Sequence, residues 1–222
     1  MERINFDWTE TADELRRWLA RGELLSDRKG RHFTGGDDRE QWRFTPPLVQ
    51  GIPAETREAG DYLARLPESL GTQAVILLQA GAAAIGLWRE DECLQHKVIK
   101  KYVVRGKGRA QPTHLKTAGK SRYGSRLRLR NARALLVELN ERLCSWRDEE
   151  GPFDAVFYSC PVRTWPELWR LEPQPPFSRS QAIKIPKDVA IPGLNELMRV
   201  RRFLSRGCVT IRPLGEDGGP SD

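Results

Sequence analysis

The stretch Arg105-Gly106-Lys107-Gly108-Arg109-Ala110-Gln111 gathers residue types that could do chemistry on a phosphate-bearing ligand. Gly106 and Gly108 let the backbone approach a ligand closely. Lys107 and Arg109 carry the charge to hold phosphates. The amide of Gln111 is neutral, so it cannot serve as a general base. It can position a water or a ribose hydroxyl and stabilise developing negative charge. Short Gly/Lys/Arg loops are common and most have no catalytic role. This one is not a Walker A motif, because it lacks the Gly-Lys-Ser/Thr element.

The surrounding charge is unevenly spread. Between Cys93 and Val137 there is no Asp or Glu, while the same window holds 13 of the 37 basic residues. The rest of the chain has 24 basic against 30 acidic residues, so an acidic body carries one concentrated basic segment. Such a segment suits a polyanion, whose counterions are released on binding. A solvated basic face is the ordinary alternative. Against it, the charges alternate with Val98, Ile99, Tyr102, Val103 and Val104 and then enter a patterned helix. Nucleic acid is therefore the expected partner.

The elements that must position this segment can be read from periodicity. Gln73–Ala80 and Ala82–Arg89 are apolar and separated by Gly81, which fits a hairpin, with a buried helix as the competing reading. Lys97–Arg105 reads as a third strand. Gly106 to Gly124 reads as a long loop, of the kind that is usually functional or disordered. After it, Ala132, Leu135, Leu136, Leu139, Leu143 and Trp146 follow one helical face. Arg126, Arg130 and Arg133 form a basic ridge on the N-terminal half of that helix. Cations there oppose the helix dipole, a cost that a bound phosphate would offset. Asp154–Cys160, Ala182–Ile185 and Cys208–Ile211 read as strands, and Gly193–Arg206 as a helix. Earlier in the chain, Thr9–Arg21 and Glu55–Leu66 read as helices, Ser26–Gln41 as a loop and Trp42–Val49 as a strand. The expected fold is α/β with a mixed sheet flanked by helices. The expected organisation is an N-terminal helical and irregular region (1–70) packing on a main domain (71–213), followed by a disordered tail (214–222).

Other groups exclude more than they suggest. Cys93, Cys144, Cys160 and Cys208 form no CxxC pair, and the three histidines are scattered, so neither a metal nor a disulfide framework is expected. No cofactor is expected. No apolar run reaches the roughly 20 residues that cross a bilayer. The N-terminus does not read as a secretory signal. A cytoplasmic location without membrane contact is the expectation. Trp146, Trp165 and Trp169 are read as core, while Tyr123 is an even match for an RNA contact. Asp91, Glu92 and Asp154 are read as solvated or capping carboxylates rather than a nuclease's Mg²⁺ ligands.

The order of strand, Gly-x-x-Gln loop, long basic loop and basic helix resembles the central domain of archaeal and eukaryotic peptide-chain release factors. It resembles the Vms-like release factor family more closely. The resemblance is carried by Lys101-Tyr102-Val103-Val104-Arg105, Gly108-Arg109-Ala110-Gln111 and Gly124-Ser125-Arg126-Leu127-Arg128. It continues through Asp154–Trp169, Ile183-Lys184-Ile185-Pro186 and Leu194–Val200. It spans roughly residues 70 to 208. Arg109-Ala110 stands where that family usually has Gly or small polar residues. The ankyrin repeats and zinc finger of the eukaryotic members are absent from these residues.

The resemblance implies a ribonuclease-H-like α/β fold and an enzyme of ribosome-associated quality control, a peptidyl-tRNA hydrolase or tRNA 3′-end endonuclease. Gln111 takes the place of the key glutamine at the peptidyl-transferase centre of the large ribosomal subunit. The implied RNA contacts, to tRNA or ribosomal RNA, are Arg105, Lys107, Arg109, Lys116, Lys120, Arg122, Tyr123, Arg126, Arg128 and Arg130, with Gly106 and Gly108 supplying loop backbone. The protein is expected to be a monomer off the ribosome. The alternative is a non-catalytic ribosome- or RNA-binding factor that retains the fold.

Overall fold

The computed structural model describes residues 1–27, 30–101 and 120–214, with side chains for all of these except 120–125. Its elements run β1 (Glu2–Asp7), α1 (Thr11–Leu19), β2 (Leu25–Ser26), β3 (Phe33–Gly36), β4 (Glu40–Thr45), α2 (Ala59–Ala64), β5 (Thr72–Gln79), β6 (Ala82–Arg89), β7 (Glu92–Lys100), α3 (Lys120–Glu150), β8 (Ala155–Ser159), β9 (Ala182–Lys184), α4 (Leu194–Leu204) and β10 (Arg206–Pro213). The chain divides into two units. One is Gly71–Val200, and the other is Met1–Leu70 together with the described residues from Arg201 onward. Each is a sheet flanked by helices, and the first carries a mixed sheet, as the α/β expectation required.

In the Gly71–Val200 unit the strand order is β7-β6-β5-β8-β9. β5, β6 and β7 are antiparallel neighbours, whereas β8 runs parallel to β5 and β9 parallel to β8. Residues 72–78 and 82–88 are all buried. Burial on both faces explains why these strands read as unbroken apolar runs and not as alternation. On one face Ile76, Ile85 and Ile99 pack with Leu135, Leu139, Leu143 and Trp146 of α3. Each fully buried aliphatic side chain there contributes roughly 1.5–3 kcal/mol. On the other face the Trp88 ring lies across Gly86, where an added Cβ would meet it at 2.3 Å. Leu197 of α4 closes over the same spot, 3.1 Å from that Cβ position. The Asp154 carboxylate accepts the Thr72 N–H at 2.7 Å, tying the start of β5 to the start of β8.

In the other unit β10 lies between β1 and β4, giving the antiparallel order β1-β10-β4-β3-β2. Its inner face presents Phe6, Phe33, Trp42, Phe44 and Val209 to Leu15 and Trp18 of α1 and to Ala59 and Tyr62 of α2. Two polar links cross this core: Thr11 Oγ1 donates to Gln50 Oε1 at 2.7 Å, and the Tyr62 hydroxyl donates to the Gln50 carbonyl.

The structure differs from the sequence reading in several elements. Residues 26–41 are not one loop, because β3 and the start of β4 form within them by pairing with each other. The strand expected over 42–49 is Glu40–Thr45, and it ends before Pro46-Pro47, which cannot donate to a ladder. The helix expected over 55–66 is confined to Ala59–Ala64. The 73–89 stretch is the hairpin and not the buried helix, turning at Gly81 with φ 83°. The third strand begins five residues earlier than expected, at Glu92. α3 starts at Lys120, so the stretch 120–124 is helical where a loop was read, and Gly124 is accommodated inside the helix. The tail from 215 onward lies outside the described residues.

Candidate functional site

The sheet and α3 fix both roots of the basic segment. Hydrogen bonding along β6 carries β7 out to Lys100, and Lys101 N–H then donates to the Gly81 carbonyl at 2.9 Å. From the same residue, Lys101 Nζ reaches Glu138 on α3 at 2.7 Å. Strand end and helix are thereby joined at the last described residue before 102. Arg105, Gly106, Lys107, Gly108, Arg109, Gln111 and Lys116 lie outside the described residues, as does Tyr102. Lys120, Arg122 and Tyr123 lie on the first turns of α3.

α3 is divided along its length. From Leu135 onward it supplies the core, but from Arg126 to Ala134 none of its residues is buried. Leu127 and Leu129 are exposed there, Leu129 at 70%. Arg126, Arg130 and Arg133 stand exposed on this half, and Arg128 is half-buried. None of the four has a carboxylate partner among the described residues. Arg130 and Arg133 line one groove with Val137, Glu138 and Glu141, so the ridge expected from the sequence runs down to the Lys101–Glu138 pair. The arrangement can hold a polyanion along the helix, with phosphates screening guanidinium groups that otherwise repel one another.

The lower half of α3 is anchored by a polar contact that the apolar pattern did not reveal. Asn140 is fully buried, and its Nδ2 donates to the Leu168 carbonyl at 2.9 Å and the Pro173 carbonyl at 2.8 Å. Beside it the aromatics pack as core. Trp165 stacks on Tyr158 with ring centroids 3.7 Å apart, and Trp169 meets Trp165 edge-on. The Arg179 guanidinium lies 4.8 Å from the Trp169 ring centroid. Sequence reasoning missed both Asn140 and Glu138. Glu138 did leave a signal: it is the first acidic residue after the acid-free window.

The remaining candidates are structural. Asp154 is engaged by the Thr72 N–H as described. The four cysteines are free and half-buried, and burial pushes the Cys160 thiol up to about 12, which keeps it protonated and unreactive at neutral pH. Among the described residues no cluster of His, Cys, Asp and Glu is suited to a metal ion, and no helix is long and apolar enough to cross a membrane.

A family model described as the Bacteroidetes VLRF1 release factor, bVLRF1, matches residues 73–211. This chain belongs to the bVLRF1 release-factor family. The match runs from β5 to β10 and includes Gly108-Arg109-Ala110-Gln111 and the whole of α3. Comparison with curated proteins gives no match. Among solved structures, the chain is similar to the "Vms1 mitochondrial localization core" (TM-score 0.49, 11% identity, covering 90% of this chain and 80% of that one). It is also similar to the archaeal translation termination factor aRF1 (TM-score 0.34, 17% identity, covering 60% of this chain and 35% of that one). At these scores the assignment rests on the family match and not on the structural neighbours. Membership in bVLRF1 accounts for the order of elements around the basic segment.

Proposed function

We propose that this bVLRF1 member frees stalled nascent chains from tRNA on the large ribosomal subunit, either by hydrolysing the peptidyl-tRNA ester or by cutting the tRNA near its 3′ end. It acts in the cytoplasm as a monomer off the ribosome. Gln111 is the residue that acts at the scissile bond. Its neutral amide orients the attacking water or ribose hydroxyl and stabilises charge developing in the transition state. Arg105, Lys107 and Arg109 hold the adjacent phosphates, with Gly106 and Gly108 allowing close backbone approach. Lys116, Lys120, Arg122, Tyr123, Arg126, Arg128 and Arg130 track the tRNA or ribosomal RNA backbone. The chemistry belongs to the Gly71–Val200 unit, and the unit built from Met1–Leu70 with the described residues from Arg201 onward is its accessory region.

The observation that supports this reading most is the release-factor family match, which runs through Gly108–Gln111 and the arginine-bearing half of α3. The guanidinium groups on that half, which have no carboxylate partner among the described residues, are its physical complement. The test is release of nascent peptide from purified large subunits bearing peptidyl-tRNA. Wild type is expected to release peptide, and Gln111→Ala is expected to lose release while still co-sedimenting with the subunit. The size of the tRNA product then names the bond. If neither protein releases peptide and both co-sediment, the catalytic reading is refuted and the chain is a binding factor.

A further inference from the structure

The sheet of β1-β10-β4-β3-β2 buries one face, and its other face, which is basic, is exposed among the described residues. Its register places Arg3, Thr210, Arg43 and Thr34 in one row across four strands, with Arg212 and Gln41 in the next row. Arg206 lies on the same face of β10 as Thr210 and Arg212. All four arginines are exposed. None has a carboxylate partner among the described residues, and the one side-chain bond any of them makes here is from Arg3 Nε to Asn5 Oδ1 at 3.1 Å.

This pattern is unusual for a merely solvated face. Cross-strand neighbours of opposite charge stabilise a sheet, and like charges in adjacent positions destabilise it. Here Arg3, Arg43 and Arg212 surround Thr210 with no acid between them. Edge protection does not account for Arg43 and Arg212, because β4 and β10 are interior strands. The nearby carboxylates are already engaged. Asp37 accepts the N–H groups of Arg39 and Glu40 at 2.9 and 2.8 Å and lies 3.6 Å from Arg21. Asp7 lies directly across from Arg206 in the β1–β10 register and belongs to the capping box of the turn that follows β1, so Arg206 has an acid as its cross-strand neighbour whereas Arg3, Arg43 and Arg212 do not. Between β3, β4 and β10 the face forms an open cleft of ≈ 790 Å³, lined by Thr34, Asp37, Gln41, Arg43, Thr210 and Arg212 among others.

We infer that this sheet face is a second RNA-binding surface, separate from α3, which holds a single strand by its phosphate backbone. Guanidinium groups, threonine hydroxyls and a glutamine amide are the donors that contact phosphate and sugar oxygens. The rows named here carry arginine, threonine and glutamine and no aromatic residue, so the binding is independent of sequence. A protein partner would want an apolar centre to the patch. The exposed apolar residues here sit instead at its margins: Leu25 ends the Thr34 row on the edge strand β2, and Met1 and Leu214 lie where β1 begins and β10 finishes. The inference does not depend on the release chemistry.

The test uses the full chain and a labelled oligouridine, with affinity followed by anisotropy across a salt series. Each phosphate contact on a single strand contributes about 0.7 to the slope of log K against log salt. Arg43→Ala/Arg212→Ala is expected to lower that slope by about 1.4 and to weaken binding at low salt, without changing the thermal melt. Arg43→Lys/Arg212→Lys restores the slope, and Gln111→Ala leaves it unchanged. Failure of peptide release would therefore not touch this result. An unchanged slope in a folded double-alanine variant overturns the inference. So does loss of polyglutamate binding with RNA binding intact, which would make the face a protein-docking surface.

Discussion

Replacing Asn140 with alanine removes two hydrogen bonds made by a fully buried side chain. The side chain is fully buried on α3 and donates to the carbonyls of Leu168 and Pro173 at 2.9 and 2.8 Å. Each bond contributes roughly 0.5–1.5 kcal/mol net, and a buried group left without its partner costs about 1–3 kcal/mol. The Asn140 Oδ1 atom has no partner, so its removal gives a little back. The expected loss is therefore about 2–3 kcal/mol. For a chain of this size that lowers the melting temperature by roughly 4–12 °C. Urea denaturation of wild type and Asn140→Ala, with the m-value compared, is the assay. Asn140→Leu is the informative control, because it refills the volume while still leaving both carbonyls unbonded. If Leu restores wild-type stability, packing and not hydrogen bonding holds the 165–173 segment to α3, and the reasoning fails. A loss below about 0.5 kcal/mol in the alanine variant would refute it as well.

Gly86→Ala is expected to destabilise by about 1–3 kcal/mol, because the new Cβ would lie 2.3 Å from the buried Trp88 ring; a melt unchanged from wild type would show that the ring can move aside. Glu138→Gln breaks the ion pair with Lys101, whose members are 29% and 38% exposed, so the stability loss is expected to stay under about 1 kcal/mol and to shrink at high salt. Denaturation at low and high salt checks this, and a loss that persists undiminished at high salt would contradict it. The Glu196 carboxylate accepts from Arg199 at 2.6 Å and from the Ala190 N–H at 2.8 Å, and these bonds hold its pKa below the usual glutamate range. A depressed folded-state pKa means that its contribution is complete above the unfolded glutamate value of about 4.3 and is lost as pH falls through the folded one. Unfolding midpoints measured from neutral pH downward should therefore fall less steeply in Glu196→Gln than in wild type. Identical profiles would sink the assignment.

Much of the Gly71–Val200 unit was legible in the sequence. The β5–β6 hairpin, the apolar face of α3 and the arginine ridge are written in residues two to seven positions apart, and local spacing reports them directly. The Gly-Arg-Ala-Gln stretch and the motifs around it pointed to the release-factor resemblance, which the family match places on firm ground. The sheet built on β1 was not legible. β10 lies about 200 residues after β1 and is inserted between it and β4, so their pairing leaves no periodic trace. Read alone, 26–41 looked like loop because β3 is short and glycine-rich and exists only through its ladder with β4. The same reason hid Glu138 as a partner of Lys101, Asn140 as an anchor and the exposed arginine face. The sequence by itself determined which segments are apolar, which are basic and which family they match. Only the tertiary structure decided which distant strands are neighbours and which charges share a face, because those follow from long-range pairing that no local pattern encodes.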